Sequence, residues 1–120
     1  GILVNHGKFK FPDGTTYVGD IKDEIPDGQG VLNLPTGGKY VGEFKKGLRD
    51  GYGTHEFMEG DKYEGKWKNG ECHGQGTYFY FDEGGKYEGE WRDSERWNGK
   101  EYDKDGDLIG TYINGEIIRK

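Results

Sequence analysis

Apolar and polar residues alternate along most of this chain in short runs broken by glycine, which is the two-residue period of strands rather than the 3.6-residue period of helices. In Tyr17-Val-Gly-Asp-Ile21, Tyr40-Val-Gly-Glu-Phe44, Tyr63-Glu-Gly-Lys-Trp67 and Tyr87-Glu-Gly-Glu-Trp91, the tyrosine, the glycine and the closing apolar residue fall on one side of a strand. Val18, Asp20, Glu43, Glu64, Lys66, Glu88 and Glu90 fall on the other. A second set of strands obeys the same rule. Gly7, Phe9 and Phe11; Gly30, Leu32 and Leu34; Gly53, His55 and Phe57; and Gly76, Tyr78 and Tyr80 each share a side. Asp13-Gly14, Asn69-Gly70 and Asn114-Gly115 supply the positive φ that tight hairpin turns need.

The leading tyrosines are 23, 23 and 24 residues apart, and Gly28-Gln-Gly30, Gly51-Tyr-Gly53 and Gly74-Gln-Gly76 follow them at a fixed offset. That period is too short for a pair of helices and suits two strands with two turns. The chain divides into a partial copy at 5–16, full copies at 17–39, 40–62 and 63–86, and degenerate copies at 87–109 and 110–120, all within one array spanning 1–120. The extra residue of the third full copy falls at the turn Asp82-Glu-Gly-Gly85. Glycine weakens a strand, yet opposite an aromatic ring it leaves a hollow in which the ring can lie, so the two recur together. Glu24 and Ser94 stand where Gly47 and Gly70 stand, Gly99 is out of step with the doubled glycines, and an irregular hairpin is expected after Trp91.

From about residue 5 to 115 these motifs resemble the MORN repeat, whose pattern is Tyr-x-Gly-x-Trp, then Gly-x-Gly, then an Asp-Gly turn. The stretch from Tyr102 to Gly115 is similar to the variant repeats that end such arrays. The resemblance implies an all-β fold: an elongated, curved, single-layer antiparallel sheet of tandem β-hairpins. Strands about 4.8 Å apart would make it on the order of 40–50 Å long. It also implies an interaction module, whether scaffold, dimerisation segment, attachment to a catalytic domain or lipid-binding element.

Composition narrows this. Only 30% of the residues are apolar and 33% are charged, so no large spherical core can form, while 15% aromatic content supplies enough burial for a thin fold. A net charge of −6 disfavours phosphate backbones and anionic headgroups, no local basic patch stands out, and no nucleic-acid partner is expected. Residues 82–107 hold ten acids and five bases, which favours a basic partner. The lone Cys72 forms no internal disulfide, making cytoplasm the default compartment. No apolar run approaches the roughly 20 residues of a membrane helix, and no leader is expected. The chain starts at Gly1, within a repeat and without Met, so an excised piece is one reading, including a targeting domain cut from a larger enzyme.

Catalysis finds little support. Ser94 is the only serine, and His6, His55 and His73 lie in different copies without a recurring companion. Cys72 and His73 are adjacent and leave opposite faces of a strand, a poor start for a zinc site. His55 takes the inward place of Phe9, Leu32 and Tyr78 and reads as a packed residue. Asp103-Lys-Asp-Gly106-Asp107 lacks the glycine and glutamate positions of a calcium loop and reads as a turn. The Gly-x-Gly pairs precede no helix and are not phosphate loops. Neither cofactor nor metal is expected.

The leading expectation is therefore a non-enzymatic protein-interaction or scaffolding module. Tyr40, Phe44, Tyr63, Trp67, Tyr87 and Trp91 read either as the thin core of the sheet alone or also as a groove for an amphipathic basic peptide, since a one-layer sheet has no second layer to cover them; the binding surface is expected there. Met58, Phe79 and Phe81 form a possible second surface on the opposite face, unless the C-terminal segment folds over them. The strand around Lys8–Phe11 offers an open edge for a partner strand or a second copy, and Glu116, Arg119 and Lys120 resemble a cap at the other end. The alternatives are a phosphoinositide or membrane-surface binder, opposed by the acidic balance and the lack of a lysine-rich groove, and a carbohydrate binder using Tyr and Trp as platforms.

Overall fold

The computed structural model describes residues 5–120, and over that span the chain is all-β. Eleven strands lie in chain order in one open antiparallel sheet, each hydrogen-bonded to the next. They are β1 (Asn5–Lys10), β2 (Thr16–Lys22), β3 (Ile25–Asn33), β4 (Lys39–Lys45), β5 (Leu48–Glu56), β6 (Lys62–Lys68), β7 (Glu71–Phe79), β8 (Lys86–Arg92), β9 (Glu95–Tyr102), β10 (Leu108–Ile113) and β11 (Glu116–Arg119). The molecule measures 52 × 28 × 21 Å, which is what strands spaced about 4.8 Å apart require of so many strands in a row.

Two kinds of turn alternate. Asp23-Glu24, Lys46-Gly47, Asn69-Gly70, Asp93-Ser94 and Asn114-Gly115 each turn the chain on two residues of positive φ, the geometry that matches the twist of a hairpin. These tight turns share one long edge. Each after the first is tied to the hairpin before it, the N–H groups of Gly47, Gly70, Ser94 and Gly115 donating to the carbonyls of Pro26, Arg49, Cys72 and Trp97 at 2.8–2.9 Å. Along the other edge the turns are wider. Asp13-Gly14 belongs here rather than in a two-residue turn: Phe11 N–H donates to Thr15 O and Gly14 N–H to Phe11 O. The same closure recurs at 34–38, 57–61 and 103–107, and the inserted residue enlarges the turn after Tyr80, where Tyr80 N–H reaches Gly85 O at 3.2 Å.

The hairpin after Trp91 is regular, contrary to the expectation from the broken register. In the earlier copies three residues of the second strand face one of the first: Gly19 aligns with Gly30 but Ile21 with Pro26, and likewise for β4–β5 and β6–β7. In β8–β9 only Trp97 and Asn98 face Glu90, because β9 has eight residues where β3, β5 and β7 have nine. The deletion falls inside the bulge, where one residue fewer disturbs no pairing, and Gly99 still lands opposite Gly89.

The core is a single file of rings on one face. Tyr17, Tyr40, Tyr63 and Tyr87 are wholly buried, and Phe44, Trp67, Cys72 and Trp91 nearly so. Each ring meets the next edge to face, from Tyr17 through Phe44, Tyr40, Trp67, Tyr63, Trp91 and Tyr87 to Tyr112, with centroids 5.1–5.3 Å apart and planes at 82–90°. Such pairs contribute about 0.5–1.5 kcal/mol each beyond their burial. The rings can lie this low because of the paired glycines. A methyl on Gly30 would collide with the Tyr17 ring, and Gly53, Gly76 and Gly99 make the same room for Tyr40, Tyr63 and Tyr87.

Candidate functional site

The six aromatic residues singled out by the alternation do come together, but not as an open groove. None exceeds 6% exposure. Their polar atoms are satisfied within the chain: the hydroxyls of Tyr17, Tyr40, Tyr63 and Tyr87 donate to the carbonyl three residues on at 2.7–2.8 Å, and the indole N–H groups of Trp67 and Trp91 donate to Gly53 O and Gly76 O at 3.2 and 3.0 Å. A ring lying flat over a glycine pair covers the backbone, and the next copy's Trp or Phe covers the ring. Of the two readings the sequence left open, the rings as thin core or as an open groove, the burial fits the first: they are the floor of the face.

What opens on that face is a flanking row. Phe11, Ile25, Leu32, Leu34 and Leu48 surround a depression of about 400 Å³ beside Phe44, floored further along by Arg49. Ile25, Leu48 and Phe11 are exposed. Sequence reasoning missed Ile25 and Leu48, although a signal was there: both follow a tight turn, one period apart, at a register position that carries Glu71 and Glu95 in the next copies. The apolar depression is therefore confined to the N-terminal half of the face.

Further along, guanidinium groups take over. Arg49 lies 4.7 Å from the Trp67 ring centre, donates to Gly70 O at 3.1 Å, and donates to His55 Nδ1 at 3.1 Å. His55 therefore accepts at that nitrogen and is neutral, its pKa pushed down to about 4 by burial and then by the Arg49 charge. Arg96 lies 5.2–5.5 Å from the rings of Trp91, Tyr78, Tyr80 and Tyr87, and its Nη2 donates to the Tyr80 hydroxyl, which donates to Glu101 Oε1 at 2.7 Å. Cys72 is buried in the ring file, its thiol pushed up to about 11 by burial, while His73 on the other side faces Asp93 at 3.9 Å. Asp103 Oδ1 accepts the N–H groups of Asp105 and Asp107 at 2.9 and 3.0 Å, so the acidic stretch is a turn held by its own first carboxylate.

Met58, Phe79 and Phe81 do not all lie on the opposite face. Phe79 does, at the end of β7 with the Lys62 ammonium 4.9 Å above its ring. Met58 and Phe81 are exposed in successive wide turns, where Phe81 packs across Gly60, and the C-terminal segment continues the sheet instead of covering them. A second correction concerns charge. Lys45, Lys46, Lys66, Lys68 and His73 line a depression of about 650 Å³ whose single acid is Asp50. The sheet brings residues one period apart to neighbouring positions, so a lysine-rich surface exists that the linear sequence disperses.

A one-layer meander of hairpins, four of them burying a tyrosine on a glycine pair, defines a β-hairpin repeat protein. The MORN repeat pattern matches residues 1–16, 17–39, 40–62, 63–84 and 87–108, and the chain belongs to the MORN-repeat family. MORN repeats are non-enzymatic modules that generally serve protein or membrane interaction. A search of curated proteins finds no match to this chain.

Proposed function

We propose that this array is a protein-binding module that receives an amphipathic, positively charged segment along its aromatic face. The observation that carries this reading is the apolar depression of Phe11, Ile25, Leu34 and Leu48 beside a buried ring file, with Phe11, Ile25 and Leu48 exposed. The partner's apolar side chains rest there beside Phe44, from which the buried ring file of Tyr40, Tyr63, Trp67, Tyr87 and Trp91 runs on along the face. The net charge of −6, densest toward the C-terminus, favours a basic segment. Because the floor residues are core, truncating Tyr63 or Trp67 would test folding; the rim tests binding. With a synthetic peptide of alternating Leu and Lys as probe, Leu48→Glu weakens binding about ten-fold or more, as expected when an interface anchor is lost, and leaves the melting temperature little changed. Loss of binding in Phe81→Lys with Leu48→Glu unaffected would move the surface to the wide-turn edge and refute this reading.

A further inference from the structure

Superposed in register, three of the four copies carry an acid at one position on the face opposite the rings, Asp20, Glu43 and Glu90, where the third copy has Lys66. The acids have a structural task. Asp20 Oδ2 accepts the N–H of Gln29 at 2.9 Å, and Glu43 Oε2 accepts the N–H of Tyr52, in each case a bulge donor on the following strand. Glu90, facing the shortened bulge, accepts Asn98 Nδ2 at 3.0 Å. The glycine before each bulge donor makes the seat: a methyl on Gly28 would come within 2.6 Å of Asp20 Oδ2, and one on Gly51 would run into the Glu43 carboxylate.

The third copy keeps the seat and lacks its occupant. Gly74 holds the same left-handed backbone, φ 90° against 106° and 99° at Gly28 and Gly51, and Gln75 N–H stands where the N–H groups of Gln29 and Tyr52 stand. A methyl on Gly74 would rest in ordinary contact with the Lys66 stem, 3.5 Å from its Cβ, where one on Gly28 or Gly51 would collide with a carboxylate, so over this glycine the aliphatic stem of Lys66 leaves room that the acids fill in the other copies. Among the described residues no side chain accepts from Gln75 N–H. The nearby acids are engaged: Asp50 with Asn69 N–H, Glu64 with Lys62 and Asp93 with His73. Lys45, Lys46, Lys66 and Lys68 line the same depression as Gly74, and none of them pairs with a carboxylate of the described residues.

We propose that this vacated seat binds a carboxylate side chain from an acidic segment of a partner protein. The filled seats of the first two copies show that a carboxylate fits the space over the glycine and reaches the bulge N–H. In the third copy that N–H is joined by an ammonium, and charge-assisted bonds of this kind are about twice as strong as neutral ones. The seat lies across the sheet from the aromatic face, and it stands whether or not a basic segment binds there.

The test uses isotopically labelled protein titrated with a peptide of four glutamates, against a four-glutamine control, reading the Gln75 amide resonance. The glutamate peptide shifts that resonance saturably and the control does not. Lys66→Glu supplies the missing carboxylate from the chain itself, so it moves the Gln75 amide without peptide, raises the melting temperature and weakens the peptide ten-fold or more. Lys66→Gln weakens the peptide about ten-fold, the worth of one charge-assisted bond, without that rise. The proposal is overturned if the Gln75 amide does not move at saturation, if no glutamate-dependent binding occurs, or if Lys66→Glu binds as the parent does. It is equally overturned if inorganic phosphate or anionic-lipid vesicles displace the peptide at lower concentrations than free glutamate peptide, since the seat would then read phosphate.

Discussion

Each buried tyrosine performs two tasks that no other residue combines. Its ring fills the hollow over two glycines, and its hydroxyl reaches a backbone carbonyl that the bulge would otherwise leave without a partner. Phenylalanine would fill the space and abandon the carbonyl, at a cost of about 1–3 kcal/mol for a buried unsatisfied group. His55 shows the same economy at a position held by Phe9, Leu32 and Tyr78 in other copies, and it carries a pH dependence. Its folded-state pKa, about 4, lies below the ordinary 6.5, so the fold favours the neutral ring. The stability it contributes is complete above about pH 6.5 and is lost as pH falls from there through about 4. Chemical denaturation at pH 7 and pH 4.5 should show a loss in the parent that His55→Leu, which leaves nothing to protonate beside Arg49, reduces.

At the level of the element, the repeat tolerates change where the backbone has slack. The insertion at Asp82–Gly85 enlarges a wide turn and the deletion in β9 shortens a bulge, so neither shifts a tyrosine from its glycines. The tight turns are less forgiving. Glu24 sits at φ 66° where Gly47, Gly70 and Gly115 sit at 84–86°, and an L-residue in that region costs roughly 1–2 kcal/mol, offset in part by the entropy a glycine would lose on folding. Ser94, at φ 65°, recovers some of this because its Oγ accepts the N–H of Cys72 at 3.2 Å. Glu24→Gly should therefore raise stability by about 0.5–1 kcal/mol, seen as a higher denaturation midpoint with an unchanged slope.

For the whole molecule, the linear order of strands means that each hairpin leans only on its neighbours, as in other repeat arrays. The two ends differ from the middle. Within the described residues β1 pairs on one side only, and β11 is a four-residue strand bearing Glu116 and Arg119, also paired on one side. The C-terminal end of the sheet is thus a short charged edge strand with Ile118 exposed. Amide exchange in a dilute sample should be faster at residues 8–10 than at 63–67, which lie between two paired strands. Protection of β1 that grows with protein concentration would be the signature of a second copy adding to that edge.

The sequence by itself determined the period, the two strand classes, the ring-on-glycine pairing and the family, because alternation and glycine spacing are local properties that no distant contact can alter. It also marked Tyr40, Tyr63, Tyr87 and their partners as belonging together. It did not show whether that file of rings would be open, since burial depends on how deeply each ring sinks into the glycine hollow and on the next copy closing over it. Nor did it show Ile25 beside Leu48, or Lys45 and Lys46 beside Lys66 and Lys68. Residues one period apart become neighbours only when the strands between them are paired, and surface charge and exposed apolar area are set by that lateral order rather than by order along the chain.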